Sequence, residues 1–424
     1  MLVVQAVATL LQVPDRWAVP ADRRLGDFQV FWAGAGALLD GENFYQVRSP
    51  NGLQFTYPPV GALLLTPLRA LPIEVAQVAW LAGTLLVAVA VPVLVVRRYG
   101  AGRLPWAALS FGVLAFVASD SLRACLYYGN LGAFIVAVVV LDALCLGRRW
   151  AGLGVGTVAA MRLTPALIAV VALLRRRPRV AVVAGVWAAA ATLAAAVVLP
   201  ERSRDYWTRL LWETGRVGEL DDSANLSLLG VLARTGLAPT AVWVVWGLAS
   251  CAVLVAVALI PRRSPVDRAT LLRVLVAGGL FSTVLSPISW RHHWVWLPLT
   301  ALLLFVDGRR LTALGLAVVA AMPLPSESVQ PALLDVDVFS PLGRAMLVVT
   351  ATVSTVAAFS LLRVPQDHGP PSAASARADW ASPEAAASNA ETASSRAWST
   401  RFSFGSSTAS RAPATARCSA LASR

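Results

Sequence analysis

The sequence predicts an all-α protein that crosses a membrane many times: a helical bundle of about ten transmembrane spans with added re-entrant and interfacial half-helices. Three observations lead there. Of the 424 residues, 57% are hydrophobic and only 14% charged, with a mean hydropathy of +0.66, whereas soluble domains carry about 25% charged residues. Apolar stretches approaching the ~20 residues that a bilayer demands recur as far as residue 362. The turns between them are basic at alternate ends. The 36 basic residues outnumber the 23 acidic ones, none is lysine, and the net charge is +13. In such a chain an arginine excess marks the cytoplasmic loops, so the high pI does not point to nucleic acid. Cys125, Cys145, Cys251 and Cys418 have no metal or redox spacing.

Residues 1–13 are apolar but short of a full span, which predicts a clipped or tilted first helix; a cleavable signal is disfavoured by the lack of a basic leader. Residues 26–68 form a polar, aromatic-rich island, expected to be a first external loop that folds back onto the bilayer. Within it FWAGAGALLDG fits one face of a short helix on the membrane surface. Asp27 opens that helix, as a cap or as a carboxylate held where water meets lipid, and Asp40 before Gly41 is turn chemistry.

The spans then alternate. Residues 71–96 run to the basic turn 97–103, 104–119 cross outward to DSLRACLYYGN, and 131–146 return to 147–149. Two pieces, 151–161 and 165–174, are each too short to cross, are joined by Arg162-Leu163-Thr164 and are basic at both outer ends. They predict a broken hairpin entering from the cytoplasm, a form tolerated only inside protein or beside a wet cavity. Residues 180–199 lead out to a polar loop, 200–224, followed by a short piece at 225–237 and a return over 238–260. Spans at 270–285, 294–306, 311–322 and 341–362 complete the bundle. From residue 363 the chain turns to Ala, Ser, Pro and Arg, which bury too little to fold. The expected organisation is a membrane domain over 1–362 and a disordered tail over 363–424, with both termini cytoplasmic.

This topology gathers Asp22, Asp27, Tyr57, Asp120, Arg123, Tyr127, Tyr128, Asn130, the 200–224 loop, Asn225, Arg291, His292 and His293 on the non-cytoplasmic side. ATP and nucleotide sugars are absent there, so a donor arrives already activated, most simply as a lipid phosphate. In SPISWRHHWVW, Pro287 breaks the helix and Trp290, Trp294 and Trp296 suit an interface. Arg291, His292 and His293 then either bind phosphate and stack on sugar or simply anchor a helix end. Zinc is not expected, because neighbouring histidines on a helix point about 100° apart. Arg162 reads as a functional intramembrane charge, with snorkelling as the bland alternative. Gly152, Gly154 and Gly156 lie in an apolar helix with no strand before it, which favours close helix packing over a nucleotide motif. Asp142 is expected to pair with Arg148 and Arg149.

With these residues in view, the chain resembles the polyprenol-phosphate-sugar-dependent glycosyltransferases of the GT-C superfamily, in particular family GT87 of actinobacteria. The likeness rests on GDFQVFWAGAGALLDGENFY with TYPPVGALLLTPL, YYGNLGAFIVAVVVLDAL, AGLGVGTVAAMRLTPAL, NLSLLGVLAR and SPISWRHHWVW, in that order. It implies a plasma-membrane mannosyl or arabinofuranosyl transferase that takes its sugar from a polyprenyl phosphate. The acceptor implied is a cell-envelope glycolipid or lipoglycan. Asp27 becomes the catalytic base, and Arg162 stands where the family commonly has Lys. An inverting transfer needs one carboxylate to take the acceptor's proton. A phosphate leaves without an acid and needs only cations, for which Arg123, Arg162, Arg291, His292 and His293 are the candidates. Tyr57, Tyr128, Asn130, Asn225 and Trp290 are candidates for acceptor contact or sugar stacking. No cofactor or metal is called for. The rival readings are a transporter or flippase for a lipid-linked sugar and a non-catalytic scaffold.

Overall fold

The computed structural model describes residues 1–99, 105–222, 224–261, 267–322 and 341–363. The expected tail beyond residue 363 and most of the basic turns 97–103 and 261–263 lie outside the described residues. The helices in order are α1 (Leu2–Trp17), α2 (Gly26–Leu39), α3 (Pro59–Leu65), α4 (Ile73–Tyr99), α5 (Pro105–Ala118), α6 (Asp120–Tyr128), α7 (Gly132–Cys145), α8 (Leu153–Met161) and α9 (Ala166–Leu174). There follow α10 (Pro178–Val198), α11 (Pro200–Thr208), α12 (Leu228–Ala233), α13 (Pro239–Leu259), α14 (Arg268–Leu285), α15 (Trp296–Val306), α16 (Arg310–Ala321) and α17 (Pro341–Leu362). Among the described residues the only β pairing is an isolated bridge between Arg48 and Gln54. The protein is therefore all-α.

Four helices, α4, α10, α13 and α14, are long and apolar enough to cross a membrane. A fifth span is formed if α5 and α6, bent by 54° at their junction, count as one. The expected ten is not reached by this measure among the described residues, because several stretches fold as apolar helices of 10–17 residues. The long helices divide into two kinds. α14 is enclosed: Gly278 lies against the Ile168 backbone of α9, and Gly279 against the Trp296 indole. α10 and α13 instead turn Val182, Val186, Leu193, Val197, Leu248, Val255 and Leu259 outward. Apolar rows on that scale are a liability in water and natural in lipid.

The short pieces at 151–174 do form a hairpin. Gly152 and Gly156 lie against Val180 and Ala184, and the Trp187 indole donates to the Thr157 hydroxyl at 2.9 Å, so α8 runs parallel to α10. The chain must regain the start of α10 at Pro178 within a few residues of the end of α9, so α9 turns back. The tip is Arg162-Leu163-Thr164-Pro165. The glycines serve helix packing, as their apolar setting implies: a Cβ on Gly152 would collide with the Val180 carbonyl oxygen, at a φ of +114°. Gly152→Ala is expected to destabilise the protein by about 1–3 kcal/mol, from overpacking against fixed backbone. A fall in the detergent-solubilised melting temperature checks it, and an unchanged value rejects the packing account.

Two expectations on side-chain roles change. Asp142 is not an ion-pair partner of the 148–149 arginines; its oxygens accept the Gly152 and Val155 backbone N–H groups at 2.8 and 2.9 Å and tie off the open start of α8. α2 is not a one-faced surface helix. Phe28, Gln29, Val30, Phe31 and the run Gly34–Ala37 are all buried, with Phe28 and Phe31 against Trp80 of α4 and Gly34 against Phe55. Its small residues let the 45–57 loop close over it.

Candidate active site

A cavity of about 660 Å³ lies between the start of α2, the hairpin tip, the 3₁₀ turn Arg291–Val295, the loop 53–58 and the stretch from the end of α11 to residue 222. Asp27 supplies a carboxylate to its wall. The N-cap position of α2 is Leu25, held at φ 58°, and no side chain caps the helix. Asp27 is thus one step inside the first turn and free of capping duty. Its carboxylate reaches across to the end of α6, where Oδ2 accepts the Asn130 Nδ2–H at 2.6 Å. Asn130 is fixed in turn, because its Oδ1 accepts the Gly132 backbone N–H at 2.8 Å. Gly129 makes the approach possible: it ends α6 at φ +67°, and a Cβ there would lie 2.7 Å from the Phe28 Cβ. Oδ1 of Asp27 has no hydrogen-bond partner among the described residues.

Burial raises the Asp27 carboxyl to a pKa of about 6, against the pull of Asn130 and Arg162 in the other direction. A base poised near neutrality is what proton abstraction asks for. His292 Nε2 lies 3.9 Å from Asp27 Oδ2. Burial, reinforced by the Arg162 guanidinium, holds His292 and His293 well below the usual histidine range, so both rings are neutral.

The hairpin tip supplies the charge. Arg162 ends α8 in extended conformation, leans over the Tyr57 ring at 5.8 Å and contacts Nε2 of His293. The other nitrogen of that ring, Nδ1, accepts the Trp290 backbone N–H at 3.0 Å. A neutral imidazole with an accepting Nδ1 carries its proton on Nε2. Two donors, Arg162 Nη2 and His293 Nε2–H, therefore meet at the cavity wall, an arrangement that an anion completes.

Nine candidates from the sequence line the cavity together: Asp27, Tyr57, Tyr128, Asn130, Arg162, Trp290, Arg291, His292 and His293. Two do not. Arg123 is buried and pairs with Asp120, with its Nη1 donating to Gln5 at 2.9 Å. Asn225 is buried behind the wall with all four hydrogen-bonding positions filled. It donates to the Leu220 and Pro287 carbonyls and accepts from the Ser227 and Ser289 N–H groups. It stitches the 220–227 segment to the 287–289 stretch and has nothing left for a ligand. Arg291 lines the cavity, but its Nε and Nη2 are held by Asp120 at 2.9 and 2.7 Å.

Missed by sequence reasoning are Tyr45, Gln54, Tyr206, Arg216 and Asp222, which also line the cavity. Only the aromatic and charged richness of the 200–224 loop hinted at them. Among the described residues no three His, Cys, Asp or Glu side chains gather as a metal site.

Comparison with known proteins gives this geometry its context. The model of glycosyltransferase family 87 matches residues 55–287, more than half of the chain. The match begins beyond Asp27 and ends before His292, so the roles of those two rest on geometry. The chain is 31% identical over 333 residues to the polyprenol-phosphate-mannose-dependent alpha-(1-2)-phosphatidylinositol mannoside mannosyltransferase of Mycolicibacterium smegmatis, covering 70% of this chain and 75% of that protein. It is 32% identical over 318 residues to the protein of the same description from Mycobacterium tuberculosis, covering 69% and 73%. The corresponding phosphatidylinositol pentamannoside mannosyltransferase of Mycolicibacterium smegmatis is 32% identical over 312 residues, covering 69% and 72%. No solved structure matches. On the family match and the extent of these alignments, the chain belongs to glycosyltransferase family 87 and is a membrane glycosyltransferase.

Proposed function

We propose that the protein moves a mannosyl unit from a polyprenyl phosphate donor to the sugar of a phosphatidylinositol mannoside-type glycolipid, on the non-cytoplasmic face, with Asp27 as the base. Both termini then lie in the cytoplasm. Mannose is preferred to arabinofuranose because the relatives named above are all mannose-dependent. The observation that carries the reading is the pairing of one uncapped carboxylate with a two-donor anion site across a single cavity.

The chemistry follows from the placement. The acceptor hydroxyl hydrogen-bonds to Oδ1 of Asp27 and yields its proton as its oxygen attacks the anomeric carbon. The bond from that carbon to the phosphate oxygen breaks, and the electron pair leaves with the phosphate. Its growing charge faces Arg162 and the Nε2–H of neutral His293, in a site where burial strengthens both contacts. His292, close to Asp27, keeps the acceptor oxygen on the side of the base.

The direct test offers purified protein in lipid nanodiscs two radiolabelled donors, a synthetic polyprenyl phosphate mannose and a nucleotide-linked mannose. Incorporation into glycolipid from the lipid donor alone is expected. Incorporation from the nucleotide sugar alone, or from neither, rejects the reading.

Activity is also expected to fall as pH drops through about 6, where Asp27 takes up a proton and stops accepting one. Asn130→Ala removes a bond that favours the charged carboxylate, so the folded-state pKa rises and the acid limb moves to higher pH. A pH profile of kcat/KM for the two proteins reads this shift, and a limb displaced towards acid contradicts it.

A further inference from the structure

The cavity has a second wall, apart from the pole formed by Asp27, Arg162 and His293. It is made by Tyr45, Gln54, Tyr206, Arg216 and Asp222, with Trp290 joining it to the catalytic turn. This wall is built and held. Arg216 reaches from the 206–224 loop to the Tyr45 and Phe55 carbonyls at 2.9 and 3.4 Å, and Tyr206 stacks on Tyr45 with ring centres 5.8 Å apart. Arg234 fixes the far end, donating to the Asp222 carbonyl at 2.6 Å and the Asn225 carbonyl at 3.0 Å. Gly218 passes so close to Trp290 that a Cβ would sit 2.7 Å from the indole. The Trp290 backbone N–H in turn bonds to His293, so this aromatic ring is on the same turn as the anion site.

What the wall offers is polar atoms without protein partners. Asp222 accepts the Ala224 N–H through Oδ1, leaving Oδ2 with no hydrogen bond among the described residues. The Tyr206 hydroxyl and the Gln54 amide have none either, although Tyr206 is nearly fully buried against protein. Of the two carboxylates here, Glu213 is paired with Arg209 at 3.1 Å, which leaves Asp222 facing the cavity, and the Arg216 guanidinium is already shared between two carbonyls. An anion is therefore disfavoured here. Carboxylate, amide and phenol beside an indole face suit a neutral polyhydroxylated ring, whose hydroxyls bond in the ring plane and whose C–H face lies on the aromatic.

We infer that the 206–224 wall is the subsite for the acceptor's terminal pyranose, with Tyr206 and Asp222 as the residues that choose which hydroxyl faces Asp27. This rests on the transferase reading above. The ring lies on the part of the Trp290 indole that Gly218 leaves uncovered, with its in-plane hydroxyls on Asp222 and Tyr206. The one hydroxyl left over points to the base.

The test compares wild type, Tyr206→Phe and Asp222→Asn with octyl mannoside and its monodeoxy analogues as acceptors and polyprenyl phosphate mannose as donor. Both substitutions keep shape and packing, and in the second the amide oxygen still accepts the Ala224 N–H. Each variant is expected to raise the acceptor KM about tenfold and to leave the donor KM alone, as the loss of one hydrogen bond predicts. For the analogue lacking the recognised hydroxyl, variant and wild type are expected to show the same KM. A loss that is equal for every analogue, or an acceptor KM that stays put in both variants while wild type transfers mannose, overturns the subsite and leaves the transferase reading standing. Wild type that transfers no mannose overturns both.

Discussion

Asp27→Asn is expected to lower kcat by about 10²–10⁴-fold, the usual worth of a positioned general base, while the donor KM stays where it was. Asparagine has the same shape, and its carbonyl oxygen accepts the Asn130 amide as the carboxylate does, so the fold around α2 has no reason to change. What is lost is an atom able to take a proton. The relevant comparison is single-turnover transfer at matched protein levels, with donor binding measured alongside. A variant within tenfold of wild type removes Asp27 from the chemistry. Its raised pKa sharpens the expectation: the wild type has an acid limb near pH 6 that the variant lacks.

Arg162→Gln is expected to cost about 10²–10³-fold in kcat, the scale for removing one donor from a site where transition-state charge develops. Part of the loss is indirect. Arg162 holds the Asp27 pKa down and keeps the neighbouring imidazoles neutral, so its removal lifts the base's pKa and lets His293 protonate more easily. Raising the pH then recovers the first component, and only the phosphate component remains. Arg162→Lys keeps the charge as a point rather than a fork and is expected to retain more activity than Gln. If Gln and Lys are equally impaired at every pH, the role of Arg162 is geometric rather than electrostatic.

The sequence made much of this visible, for definite reasons. Apolar run lengths and a low charged fraction identify a helical membrane protein, and a helix broken at Arg162 between two basic ends identifies a hairpin. The hairpin shows because two apolar pieces too short to cross are joined at a charged residue. Asp27 showed for a similar reason, as an acid in an apolar and aromatic setting. What stayed hidden depends on where side chains spend their hydrogen bonds. Asn225 and Arg123 have the same composition signal as Asn130 and Arg291. Only the fold reveals that Asn225 bonds four backbone groups and that Arg123 faces Asp120 and Gln5. The second wall was illegible because Tyr206 and Asp222 join Tyr45 and Gln54 from a distant part of the chain, with no periodicity to announce it.

The buried chain from Gln5 through Arg123 and Asp120 to Arg291 ends one residue from His292. Gln12 adds a second tie, donating to the Arg123 carbonyl at 3.1 Å. The opening helix is therefore not an interchangeable anchor. Graft in an equally greasy helix without a glutamine at that turn, and two guanidiniums share one carboxylate while Arg123 Nη1 loses its acceptor. The disturbance travels inward to the turn that carries both histidines. Membrane insertion can survive such a swap while turnover does not, so α1 does not lend itself to exchange for another apolar helix.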